Sequence, residues 1–238
     1  MFMRIAAKLL IKGSMSLLMV YAAHAQDDAL AAIQKIYTAY DKGYAISFNG
    51  VMKMYIKNNP AKIIERIPAR YLIKGRNFNC GIGSVDLLLN EKYYVSADKS
   101  VRVIIIGNKK DLASTVQAPV LNLDQFGKWI KEKNIEARII PGANAQELLL
   151  TDPYRLTGYD NYRITYDPDT GFMQRAILEL SDENDSGHKT MVLEINYTRP
   201  VMAAENRDSF SEKQFFSVQQ NRIQLHNNYK GYQLINQL

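Results

Sequence analysis

The sequence is short of the residues on which most enzyme chemistry depends. Its 238 residues hold one cysteine, Cys80, and three histidines. A single cysteine excludes an intrachain disulfide. Neither His188 nor His226 has a second His or Cys at metal-ligand spacing, so no metal site is expected. No dinucleotide fingerprint occurs either. Gly81-Ile82-Gly83 lacks the strand–turn–helix unit such a motif needs, and reads as relief of crowding or a bulge. Asp167 and Asp169 flank Pro168 in a predicted turn, which explains them without acid–base chemistry. Cys80 alternates with Phe78 and Ile82, the pattern of a small buried apolar residue rather than a nucleophile. The chain therefore reads as non-enzymatic, with no catalytic residue and no cofactor.

Acidic residues are missing before Asp27, whereas Arg4, Lys8 and Lys12 are basic. An apolar stretch, Met15 to Ala22, leads to Ala23-His24-Ala25, a small-x-small site followed by Gln26. Charged region, short apolar region and cleavage site stand in the order of a secretory signal peptide over residues 1–25. The apolar run falls short of the roughly 20 residues that span a bilayer. Bacterial lipoproteins are acylated on a cysteine at the first mature position, and that position is Gln26. The mature chain is thus expected in the periplasm without a lipid anchor. Residues 26–238 suit one β-rich domain. Three of the 30 Lys+Arg residues lie in the leader, which lowers the net charge from +6 to +3. No basic stripe with interleaved aromatics stands out, so nucleic acid is not an expected partner.

The mature N-terminus predicts a helix from Asp27 to Tyr40, with Leu30, Ile33, Tyr37 and Tyr40 on one face and Ile36 beside them. The period then changes to two. From Ile46 to Lys57 the even positions are Ile, Phe, Gly, Met, Met, Ile, which predicts a half-buried strand. Further strands are predicted over Ile64–Lys74, Asn77–Leu89, Lys92–Ala97 and Val101–Gly107. Pro68 marks its strand as an edge or a site of a bulge. A second helix is predicted from about Leu123 to Lys133, with Trp129 in its apolar face. Strand patterns resume at Glu136–Ile140, Gln146–Leu150, Tyr162–Tyr166, Met173–Leu180 and Lys189–Tyr197. The turn Asp167-Pro168-Asp169-Thr170-Gly171 joins two of them. Pro200 ends the last. A tail over about 203–238 carries two short strands, Gln214–Val218 and Gln233–Ile235. The fold class is mainly β (α+β), an antiparallel sheet of about ten strands in hairpin order. Such a sheet must cover its apolar face, and helices are the evident covers.

That face is what distinguishes the chain. Phe48, Met52, Met54 and Ile56 share one side of the first strand, and Met191, Leu193 and Ile195 share one side of a late strand. Methionine and aromatic side chains re-pack around varied apolar ligands. The same residues can equally be ordinary core. These seven are the candidate ligand-binding residues.

The order of elements resembles the LolA-like family. Gly50-Val51-Met52-Lys53-Met54-Tyr55-Ile56-Lys57 is similar to the family's early strand. Tyr94-Val95-Ser96-Ala97-Asp98-Lys99-Ser100-Val101 resembles its hairpin before the middle region. Tyr162 to Gly171 resembles its late strand and turn. The likeness spans Asp27 to Pro200; the tail, with Phe215, Phe216, Tyr229 and Tyr232, lies outside it. The resemblance implies a strongly curved sheet forming an incomplete β-barrel, covered by two or three helices. It implies an apolar cavity that holds a lipid acyl chain or lipoprotein. An alternative is an envelope interaction module with a filled core that binds a membrane-anchored protein, in the inner or outer membrane. Export is tested by expressing the whole chain in a Gram-negative host and weighing the periplasmic product. It should begin at Gln26; a cytosolic product that retains Met1 would overturn the assignment.

Overall fold

Alternation of apolar and polar residues sets the architecture, because each such run can bury only one side of a strand. The computed structural model describes residues 26–110, 130, 132, 135–152, 159–181, 190–204, 208–220 and 222–238. One helix, α1 (26–40), precedes the strands. The first group of strands is β1 (Ile46–Ile56), β2 (Asn59–Lys74), β3 (Asn77–Ile82), β4 (Val85–Leu89), β5 (Tyr93–Asp98) and β6 (Val103–Asn108). The second is β7 (Glu136–Ile140), β8 (Gln146–Thr151), β9 (Asn161–Tyr166), β10 (Met173–Ser181), β11 (Thr190–Tyr197) and β12 (Val201–Met202). The tail adds β13 (Phe216–Gln219), β14 (Arg222–Leu225) and β15 (Gln233–Gln237).

Among the described residues, thirteen strands form one sheet in the order β15-β6-β5-β4-β3-β2-β1-β11-β10-β9-β8-β7, with β12 also on β1. The chain runs outward from β1 to β6, restarts at the opposite edge with β7, and returns to pair β11 with β1. The two edges do not meet, so the sheet is curved and open, as the sequence implies. Of the expected helices, α1 is present. From the stretch Leu123 to Lys133 only Ile130 and Glu132 are described, both helical, and Trp129 lies outside the described residues.

Several strands differ from expectation for identifiable reasons. Asn77–Leu89 is two strands: Gly83, with φ +55°, turns the chain between β3 and β4. β15 pairs with β6 in parallel rather than antiparallel fashion. Pro68 does mark an edge: β3 pairs β2 only from Ala69 onward, so the first half of β2 has β1 as its ladder partner among the described residues. The same strand also carries the irregularities: Met54, Tyr55 and Ile56 pair with Glu65, Ile63 and Asn59, so the extra residues, Ile64 and 60–62, lie on β2.

Helix α1 buries Ala29, Ala32, Ile33, Ile36, Ala39 and Tyr40, a stripe at three- and four-residue spacing. The alanines let its backbone approach the β9–β10 turn. Gly171 there has φ +78°, and a Cβ on it would lie 2.7 Å from the Lys35 carbonyl oxygen and 3.1 Å from the Ala39 Cβ. Lys35 Nζ donates to the Pro168 carbonyl. The Met173 amide donates to Tyr40 Oη at 3.1 Å. Asp167 closes the turn by accepting from the amides of Asp169 and Thr170, which hold its carboxyl below the usual range.

The two faces of the sheet are covered differently. The α1 side holds a core that includes Phe48, Met52, Tyr71, Cys80, Leu148, Ile164, Leu178 and Ile195. On the other side, the tail packs Phe215, Phe216 and Tyr229 over Leu88, Val95, Ile104 and Ile106. Polar contacts fix the tail there. Tyr229 Oη donates to Asp86 at 2.8 Å, Asn79 to the Ser209 carbonyl at 2.9 Å, and Asn90 to Glu212 at 3.0 Å. His226, considered as a possible ligand, bonds the Lys213 carbonyl and Ser217 Oγ within the tail. Next to this cover, the same face over β9–β11 carries ion pairs, Lys57–Glu179 at 2.7 Å and Arg175–Glu194 at 3.0 Å. Burial opposes the Glu194 charge, but bonds from Asn196, Arg175 and Tyr55 outweigh it and lower its pKa. Replacing Gly171 with Ala should destabilise the protein by about 1–3 kcal/mol by forcing the turn away from α1. Urea unfolding followed by circular dichroism measures this.

Candidate functional site

Strand pairing decides which of the seven candidates come together. β1 and β11 are neighbours, with Met52 opposite Ile195, Met54 opposite Leu193 and Ile56 opposite Met191. Side chains on one face of paired strands form continuous rows. The rows here are Ala176–Ile195–Met52–Ile67, then Leu178–Leu193–Met54–Glu65, then Leu180–Met191–Ile56. All seven residues therefore lie on one strip along the β1–β11 junction.

The strip is graded in burial. Phe48, Met52 and Ile195 are buried in the core beneath α1, and Leu193 packs against it. Met54, Ile56 and Met191 are partly exposed, and Leu180 beside Met191 is 37% exposed. Half the set is thus helix-covered core, and the other half continues the same apolar surface toward the strand ends.

At the buried end the strip is aromatic. Phe48 stacks on Tyr71, with centroids 4.8 Å apart and 17° between planes. Tyr40 and Tyr197 meet Phe48 edge-on at 5.6 and 5.9 Å. Gly50, between Phe48 and Met52, pairs with Tyr197 on one side and Ala69 on the other. The small residues leave room for the Tyr71 ring, whose Cε2 would lie 3.2 Å from a Cβ at position 50.

Two polar atoms break the apolar character. The hydroxyls of Tyr71 and Tyr197 are both out of contact with solvent and have no hydrogen-bond partner among the described residues. Burial pushes both phenols far above their usual range, and for Tyr197 the neighbouring Tyr71 and Tyr40 add to it. An unpartnered buried hydroxyl costs about 1–3 kcal/mol. Cys80 pairs with Tyr71 across β2 and β3 and is a buried free thiol, as its alternation with Phe78 and Ile82 predicts. Burial, with Asp86 nearby, pushes it up to about 12. Among the described residues no group of three or more His, Cys, Asp or Glu is arranged to hold a metal.

Sequence reading found the strip but missed the hydroxyls. Tyr197 was visible as the end of its alternating face. Tyr71 alternates with Ala69 and Ile73, yet nothing in the pattern says that its hydroxyl lacks a partner. That depends on Gly50 lying across the strand.

No family model matches the sequence, and no curated protein matches it. Among solved structures, an uncharacterized conserved protein from Thermus thermophilus shares the fold, with a TM-score of 0.53 at 10% identity. The alignment covers 88% of this chain and 99% of that one. A LolA superfamily protein from Nitrosomonas europaea has a TM-score of 0.40 at 13% identity, covering 78% of this chain and 98% of its own. The complex of MucA and MucB from Pseudomonas aeruginosa has a TM-score of 0.40 at 12% identity, covering 84% of this chain and 64% of that chain. The first of these, at 10% identity, speaks to the fold alone.

Two measurements follow from this geometry. Tyr71→Phe should stabilise the purified protein by on the order of 1 kcal/mol, since it removes an unpartnered buried hydroxyl. A comparable loss in urea unfolding would show that the hydroxyl has a partner. The folded Cys80 thiol keeps its proton to about 12, against an ordinary 9.0. Its contribution to stability is therefore complete below pH 9 and is lost as pH rises beyond it. Iodoacetamide at pH 8 should leave Cys80 unlabelled until denaturant is added, as mass spectrometry would show.

Proposed function

We propose that this chain is an exported, non-enzymatic periplasmic binding protein that holds an acyl chain along the β1–β11 strip. The observation that carries this reading is the grading of burial. An apolar surface runs along β1 and β11 from the core at Phe48, Met52 and Ile195 out to partly exposed Met54, Ile56 and Met191, with Glu65 at its β2 margin. A surface needed only for core packing would end where the helix cover ends. Methionines at the outer end suit a ligand that varies in shape. Acyl binding is also what the LolA-like resemblance implies, and a lipoprotein lipid is the larger ligand of the same chemistry.

A second reading has its own support. Among the described residues the first half of β2 has a ladder partner on one side only, and Ile63 and Ile64 are 42% and 53% exposed. Such an edge can accept a strand from a membrane-anchored protein. Under that reading Ile64→Asp abolishes partner capture and leaves acyl binding intact.

Titration with a dansyl-tipped undecanoic acid tests the acyl reading. Saturable fluorescence enhancement is expected. Met54→Glu should weaken binding about tenfold, because a carboxylate in an apolar site is costly. Met202→Glu, at a residue 71% exposed on β12, should not change it. Absence of saturable binding by the folded wild-type protein would overturn the proposal.

A further inference from the structure

Four other buried tyrosines use their hydroxyls. Tyr40 accepts from Met173, Tyr55 donates to Glu194, Tyr166 to Gln146 and Tyr229 to Asp86. Tyr71 and Tyr197 are different: neither hydroxyl has a hydrogen-bond partner among the described residues, and their rings lie 6.0 Å apart on the same apolar strip. Native structures rarely leave buried polar groups unpaired, and an exception calls for a physical reason. Two such groups stand on neighbouring rings in edge contact, which offers two donors within one small region of the strip.

We propose that Tyr71 and Tyr197 are the polar end-stop of the strip, taking the carbonyl oxygen of a single acyl chain that enters head first. The inference rests on the acyl-binding reading and narrows it to slender ligands. Both phenols stay protonated at physiological pH because burial raises them, so both act as donors. A carbonyl oxygen has two lone pairs and can accept from both. A neutral ester or protonated acid also avoids the cost of burying a carboxylate among aromatic rings.

The surroundings set the direction of entry. Behind the hydroxyls the strip is closed by Tyr40, Phe48, Ile46 and Ile73, the last two 1% and 2% exposed. Ahead it runs from Gly50 to Ile56, about 20 Å at roughly 3.3 Å per residue. Its far end is the partly exposed group Met54, Ile56 and Met191. A fatty acid or simple ester fits with its carbonyl at the closed end and its methyl end outward. A diacyl phospholipid or lipoprotein, whose head is bulky, does not fit in that direction.

The test displaces the dansyl probe with methyl palmitate, palmitic acid, hexadecane and a diacyl phosphatidylcholine. Wild type is compared with Tyr71→Phe, Tyr197→Phe and the double variant, each checked for folding by circular dichroism. In wild type the ester or the acid should compete better than hexadecane, and the phospholipid should compete poorly. In the double variant the carbonyl ligand should lose about tenfold while hexadecane is unchanged. Whichever of ester and acid loses affinity identifies the carbonyl source. The infrared carbonyl band of ¹³C-labelled ligand should shift to lower frequency on wild type and not on the double variant. An unchanged ratio of carbonyl ligand to alkane across the variants overturns the end-stop and leaves acyl binding standing. Phospholipid competing as well as the ester overturns head-first entry. Wild type that binds neither probe nor competitor overturns the acyl reading itself.

Discussion

The pairing of β1 with β11 is the constraint on which the rest of the structure depends. The chain builds its sheet as two separate meanders, β1 to β6 and β7 to β11. Each alone would expose a long edge, and exposed edges are a hazard. The junction joins them and fixes the register of both, because a slip of one residue would send Met52, Met54, Ile195 and Leu193 to the opposite face. The apolar strip is therefore the by-product of a structural necessity. It lies where two halves meet, and no single meander contains it.

The two faces of the sheet divide the labour. On one side α1 seats against the Gly171 turn and shares a core with the buried end of the strip, where Tyr40 meets Phe48. On the other, the tail supplies a second small core over β4 to β6, while the surface over β9 to β11 is carried by ion pairs. Partly exposed surface pairs of this kind contribute little to stability. Their better-supported effect is to keep this face polar, so that it does not compete with the strip for apolar partners.

Much of this was legible in the sequence. The strands from Tyr162 to Tyr197 alternate cleanly, and the turn at Asp167 to Gly171 carries its own chemistry, so both appear where expected. Other features were hidden for physical reasons. A turn at Gly83 flips the parity of apolar positions from even in Phe78, Cys80 and Ile82 to odd in Val85, Leu87 and Leu89. Gly83-Ser84 holds no Pro, Asn or Asp to mark that break, so the run reads as one continuous strand despite the flip. The parallel pairing of β15 with β6 depends on where the tail docks, which periodicity does not report. Of the site, the face was legible on each strand, but the juxtaposition of the two strands was not. The unpartnered hydroxyls emerge only from the three-dimensional arrangement of Gly50, Tyr71 and Tyr197.

The junction also has a kinetic side. Asn49 and Thr198, which bond beside it, are 149 residues apart in the chain. Contacts this distant must wait for closure of a very long loop, and chains dominated by such contacts fold slowly. The edge at β6 likewise stays open until β15, more than 120 residues further along the chain, docks on it in parallel. Under the export proposed above this delay is useful: the decisive pairing of β1 with β11 cannot form on a partial chain, which stays unfolded until both meanders are present.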